Sequence, residues 1–137
     1  NNKKAALALL DEAIKNLPDD PELIYAEVLL LDPFTDRDKL DKTLKQLLVI
    51  EPNSPTYLNA YAYTLALQNR RLKEARKYAE LALEFAPEQA SILDTLGYIA
   101  FLQNDFDTGC LVVSCSLICL YSQNRGLVCL MCKIYKI

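Results

Sequence analysis

The chain has no histidine, which removes the commonest general base and metal ligand from any catalytic reading. Only three of its 137 residues are glycine, and no phosphate-cradling glycine loop can be assembled from them. No cysteine precedes Cys110, so everything upstream folds without disulfides. A basic stripe is missing too. All 18 acidic side chains fall in residues 1–109 with 12 of the 15 basic ones, leaving that segment at −6 and the remainder, with only Arg125, Lys133 and Lys136, at +3. Nucleic-acid binding needs Lys and Arg to replace counterions along the phosphates, so an acidic body argues against it. No positively charged, apolar leader opens the chain. Instead NNKKAALALLDEAIK starts inside an amphipathic pattern, which reads as a piece of something longer.

What is present is enough apolar material for a core: 52% of residues are hydrophobic and 24% charged, which suits one folded unit rather than disorder. That material recurs at a nearly fixed interval. Pro18, Pro52 and Pro87 stand 34 and 35 residues apart, each closing an apolar helical stretch and leading into another. Ala6, Leu40, Ala75 and Gly109 keep the same step, as do Ala13, Leu47, Ala82 and Ser116. An interval of this size predicts stacked helical hairpins.

Local signals place the helices. Residues 5–17 put Ala6, Leu7, Leu10, Ala13, Ile14 and Leu17 on one face. A second helix is expected over 21–32, with Asp20 as cap, proline in its first turn and Pro33 at its end. A third runs over 38–50 on a stripe of Leu40, Leu44, Leu47, Leu48 and Ile50. Ser54 and Pro55 open a fourth that reaches about Gln68, the turn NRR follows, and a fifth spans about Leu72 to Phe85. The sixth starts near Gln89 and turns at Asn104 and Asp105. Asn69 and Asn104 fall where a turn favours a residue tolerant of left-handed geometry.

The pattern breaks after Gly109. CLVVSCSLICLY carries no charge and is apolar all round, unlike the amphipathic helices at 38–50 and 72–85. All five cysteines, Cys110, Cys115, Cys119, Cys129 and Cys132, lie here. Residues 110–137 therefore read as a divergent, cysteine-rich apolar tail with three open origins: a non-native sequence from a shifted frame or cloning scar, a divergent closing helix, or a membrane or oligomer contact. Residues 110–121 occupy a second-helix slot and are expected to fill it as a helix. They are too few to span a bilayer, which takes about 20 apolar residues.

These residues resemble the tetratricopeptide repeat family. Leu93, Leu96, Gly97, Ala100, Phe106 and Gly109 match its fourth, seventh, eighth, eleventh, seventeenth and twentieth positions. Leu58, Tyr61, Ala62, Leu65, Leu72, Ala75, Ala82 and Pro87 match in the unit before. The first unit departs, with Glu27 and Val28 where leucine and glycine are usual and Leu40 and Leu47 replacing alanines. The resemblance implies an all-α fold of antiparallel helix-turn-helix repeats stacked as a right-handed superhelix. Its repeat domain would be residues 1–109: the second helix of a partial repeat at 1–18, repeats at 21–52 and 55–87, and the start of another at 89–109. PELIYAEVLL, NAYAYTLALQNRRLKEA and ASILDTLGYIAFLQNDF look more narrowly like bacterial outer-membrane repeat lipoproteins that act as adaptors. That likeness would put the protein in the periplasm or at the outer-membrane inner face, with the cytoplasm as alternative.

The family holds a partner peptide or helix in a concave groove lined by first helices. Its groove positions fall on Glu22, Tyr25, Leu29 and Asp32, on Thr56, Asn59, Tyr63 and Ala66, and on Ser91, Asp94, Tyr98 and Phe101. The expected partner-binding residues are Tyr25, Leu29, Asn59, Tyr63, Asp94, Tyr98 and Phe101. Tyrosines are enriched among residues that dominate binding energy, although they serve equally to pack neighbouring helices. Asn59 and Asp94, polar in mid-helix, are the stronger candidates for ligand contact.

No catalytic residue, cofactor, metal or small-molecule substrate is expected. Asp19, Asp20 and Glu22, and Asp36, Asp38 and Asp41, sit at helix starts, where carboxylates favour the dipole. Cys129 and Cys132 form a CxxC pair, but the spacing to Cys115 and Cys119 lacks paired zinc knuckles. The function that follows is a non-enzymatic protein-binding scaffold. The alternatives are a regulatory or substrate-docking domain of a larger enzyme, and a self-association module acting through residues 110–137.

Overall fold

The computed structural model describes residues 2–105 and 107–108. They form helices throughout, with no strand among the described residues: α1 (Asn2–Asn16), α2 (Pro21–Leu30), α3 (Arg37–Ile50), α4 (Pro55–Leu67), α5 (Leu72–Phe85) and α6 (Ala90–Leu102). The all-α expectation holds. Residues 110–137, with the helix expected over 110–121, the five cysteines and the self-association expected there, lie outside the described residues.

Helix starts follow the prolines. Pro21 and Pro55 open α2 and α4, where a missing N–H costs nothing. The Asp20 carboxylate caps α2 by accepting the Glu22 and Leu23 N–H groups at 3.0 and 3.1 Å. Ser54 holds the equivalent place before α4, but its hydroxyl makes no capping bond.

The end of α2 differs from the expected residue 32. It stops at Leu30, with Leu31 already extended at ψ 142°. Asp32 precedes Pro33, and the proline ring disfavours helical geometry in the residue before it. The Asp32 carboxylate then builds the turn, accepting the Phe34 and Thr35 N–H groups at 2.8 and 3.0 Å, while its own N–H donates to Asp36 Oδ2 at 2.9 Å. These bonds, the one from Phe34 foremost, hold the Asp32 carboxyl below its ordinary pKa.

Helices α4 and α6 end alike. Asn69 and Asn104 take positive φ values of 48° and 59°. Arg70 N–H bonds to the Leu65 carbonyl and Asn69 N–H to that of Ala66; Asp105 and Asn104 do the same with Ala100 and Phe101. Both are Schellman ends, with asparagine in the left-handed position that the turn requires. Arg71 is also left-handed, at φ 48°, a conformation its side-chain type did not foretell.

The fold comprises two compact units, one ending at Pro52 and one starting at Asn53. In the first, α2 packs on both α1 and α3. Its core is Ile24, Val28, Leu31, Leu40, Leu44 and Leu47. Glu27 lies within this apolar layer, 6% exposed. Lys39 Nζ reaches it at 2.6 Å and the Thr43 hydroxyl donates to it at 3.3 Å. Lys39 also pairs with Asp11 of α1 at 3.3 Å, so one ammonium ties all three helices.

In the second unit α4 packs on α5 and α6, and α5 on α6. Here α5 presents Ala75, Ala79 and Ala82 at the register positions where α3 presents Leu40, Leu44 and Leu47, and all six are buried. Small residues let α5 approach α4 closely, and α4 fills the layer with Tyr57, Leu58, Tyr61 and Leu65. Arg76 ties α5 to the turn after α6, donating to Asp105 Oδ2 at 2.8 Å and to Gln103 Oε1 at 3.3 Å.

Candidate partner-binding face

Because α4 is flanked by both α5 and α6, most of its circumference is covered. Tyr57, Leu58, Tyr61, Ala62, Thr64, Leu65 and Ala66 are all buried. Ala66 was expected to line a groove, and this packing corrects that expectation: fully enclosed, it offers a partner nothing. Asn59 and Tyr63, one turn apart, share the remaining strip. On α6, Asp94, Tyr98 and Phe101 follow the same four-then-three spacing along one face.

The structure brings two of these strips together. The Tyr63 and Tyr98 rings lie 6.4 Å apart between centroids, with planes tilted by 54°. That distance is within the range of favourable aromatic pairing. Of this pair Tyr63 is the outward member at 45% exposed, and Phe101 of α6 is 60% exposed. Asp94 is exposed and Tyr98 half-buried. The tyrosines therefore both pack on one another and present surface, which merges the two roles open to them in the sequence.

Asn59 is half-buried, with its Oδ1 shut off from solvent and accepting no hydrogen bond. An acceptor in that state costs about 1–3 kcal/mol, recoverable by any donor that reaches it. Gln68 was not singled out from the sequence, yet its Nε2 is equally enclosed and finds no acceptor. Its one visible signal was a polar residue closing an apolar helix.

In the other unit, Tyr25 and Leu29 lie one turn apart on α2, Tyr25 half-buried and Leu29 69% exposed. Glu22 is exposed, whereas Asp32 is occupied by its turn. Thr56 and Ser91 are exposed at the starts of α4 and α6. Among the described residues, no group of three or more acidic, histidine or cysteine side chains is placed to hold a metal ion. No helix among them is long and apolar enough to cross a membrane.

Helical hairpins at a near-constant step, with Tyr63 and Phe101 left exposed on first helices, define a helical-repeat protein. The chain belongs to the tetratricopeptide repeat family. It is 31% identical over 103 residues, 75% of its length, to the TPR repeat-containing protein PA4667 of Pseudomonas aeruginosa, a match spanning 18% of that relative. It is also 33% identical over 90 residues, 63% of its length, to the Protein O-mannosyl-transferase Tmtc2 of Drosophila melanogaster, spanning 10% of it. The chain thus covers only a small part of either relative. No family profile matches it. Repeats of this class are typically non-catalytic and mediate protein interactions.

Proposed function

We propose that the chain is a protein-binding scaffold whose α4/α6 face holds a segment of another protein. The Tyr63–Tyr98 pair carries the reading: two rings 6.4 Å apart on neighbouring first helices, Tyr63 exposed and Tyr98 half-buried, form a ledge for apolar side chains. Asn59, half-buried one turn before Tyr63, borders the ledge, and a bound segment that draws its amide outward gives the enclosed Oδ1 the donor it lacks. Phe101 extends the apolar ledge, and Asp94 favours a segment carrying positive charge. Tyr25 and Leu29 provide a second contact strip on α2. The scaffold itself performs no chemistry.

A second reading, favoured by the likeness to a fly protein named as a transferase, makes the same face a docking module of a larger enzyme. The experiment is a comparative pull-down. Wild type is set against Asn59→Ala/Tyr63→Ala and against an exposed-surface control, Lys42→Ala, with circular dichroism confirming that all three fold. The double variant is expected to lose partners that wild type and control both retain. Equal recovery by all three would show that the binding surface lies elsewhere.

A further inference from the structure

The α4/α6 face has a sign as well as a shape. Helix α4 reads PTYLNAYAYTLAL and α6 ASILDTLGYIAFL, and Asp94 is the only charged side chain on either. Short turns join α4 to α5 and α5 to α6, so each runs antiparallel to the next and α4 runs parallel to α6. With Tyr63 beside Tyr98, the residues one turn earlier, Asn59 and Asp94, then share a level about 6 Å along the axes. Tyr63 keeps 45% exposure although α5 and α6 both pack on its helix. Its opening therefore belongs to the hairpin stack and not to a chain end.

These features select a ligand group by charge and by form. The face of a tyrosine ring is the negative end of its quadrupole and attracts a cation. Asp94, exposed one turn from Tyr98, adds a full negative charge. An ionised carboxylate has about four acceptor positions, enough to receive new donors beside any bond that it already makes. A carboxylate or phosphate ligand would be repelled by both. The lysine ammonium is compact and strongly hydrated, so resting on a ring strips it of water. A guanidinium is planar and weakly hydrated; it stacks flat on an aromatic face and keeps its N–H groups in plane for a carboxylate. This rests on the reading of α4/α6 as the partner-binding face: we propose that the face is specific for arginine, the bound segment laying a guanidinium on the Tyr63 ring beside Tyr98 and directing its N–H groups to Asp94.

Titration of the isotope-labelled full chain with acetyl-arginine methylamide, followed by amide NMR, tests this, with the lysine and citrulline methylamides as ammonium and uncharged counterparts. The arginine probe is expected to give saturable shifts at the Tyr63, Asp94 and Tyr98 amides. Citrulline, equal in shape but uncharged, should bind about fivefold or more weakly, and lysine more weakly than arginine. Tyr63→Leu and Asp94→Asn should each weaken the arginine probe by about fivefold, while Tyr63→Phe, which keeps the ring face, should hold it. Both positions are exposed, so the variants keep their fold. Absence of saturable shifts, equal affinity for arginine and either counterpart, or indifference to Tyr63→Leu or Asp94→Asn would each overturn the arginine assignment. Where the comparative pull-down still loses partners with Asn59→Ala/Tyr63→Ala, such a failure strikes the arginine alone; equal recovery in the pull-down removes the face itself.

Discussion

Tyr61 and Tyr78 close the α4–α5 hairpin edge-on, their centroids 4.9 Å apart and their planes inclined by 69°. Arg71 adds a cation 5.9 Å from the Tyr61 centroid, and Glu74 receives the Tyr61 hydroxyl at 3.5 Å. At the same two register positions, the α2–α3 hairpin is joined by Thr43 and Glu27. One position pair therefore holds two hairpins by different chemistry, ring packing in one and a charged hydrogen-bond network in the other.

Tyr61→Ala removes a fully buried ring and leaves a cavity between α4 and α5. Cavities of that size cost about 3–5 kcal/mol. Urea denaturation should show a lower midpoint with an unchanged slope. A loss below about 1 kcal/mol would mean that the ring contributes little to the core.

The Glu27 network should respond to removal of its cation more than to removal of the whole pair. Lys39→Met strands a carboxylate in an apolar layer, a loss of about 1–3 kcal/mol, whereas Glu27→Leu/Lys39→Met should recover most of it. The network also has a pH dependence. The hydrogen bond to Glu27 raises the Lys39 pKa above its ordinary 10.5. A raised cation contributes stability fully below pH 10.5 and loses it as pH climbs through the higher folded value. Wild type should therefore show an alkaline loss of stability that Lys39→Met reduces. Identical alkaline profiles would rule out Lys39 as the group responsible.

The Arg76–Asp105 pair works on the acid side. The Arg76 guanidinium, and after it the Thr108 contact, holds the Asp105 carboxyl below its ordinary 3.8. A depressed carboxyl contributes stability above pH 3.8 and loses it as pH falls through the lower folded value. Asp105→Asn should lower the melting temperature near neutral pH and flatten its fall below pH 3.8. If wild type and variant melt together at neutral pH, the bridge adds nothing to the fold.

Helix number and placement were legible because periodicity, proline and asparagine act locally. Asp20 capped α2 and Asn69 and Asn104 went left-handed, since each outcome depends on a residue and its immediate neighbours. Tertiary choices were not legible. Whether Ala66 lines a groove depends on α6 lying beside α4, and Asp32 builds a turn through Pro33 and Asp36 rather than reaching a partner. Glu27 read only as a departure from the family pattern. Its meaning appeared once Lys39 and Thr43 of α3 were found beside it. Of the binding face, the residue identities were readable, and the Tyr63–Tyr98 contact and the enclosed Asn59 oxygen were not.

Leu44 and Ala79 occupy one register position in successive hairpins, and both are completely buried. The interhelical space beside each is set by the residue it holds, so exchanging their sizes should be harmful in opposite ways. Leu44→Ala opens a cavity and costs about 2–5 kcal/mol. Ala79→Leu forces α5 away from the packed α4 side chains and costs about 1–3 kcal/mol. A second change separates the mechanisms. Ala79→Leu combined with Leu58→Ala on α4 should recover part of the loss by returning volume to the same layer, whereas Leu44→Ala should be no better tolerated when Ile24 is also shortened to Val. Calorimetric melting of the four variants reads both trends. If Ala79→Leu is as stable as wild type, the alanine stripe of α5 does not set the close approach to α4.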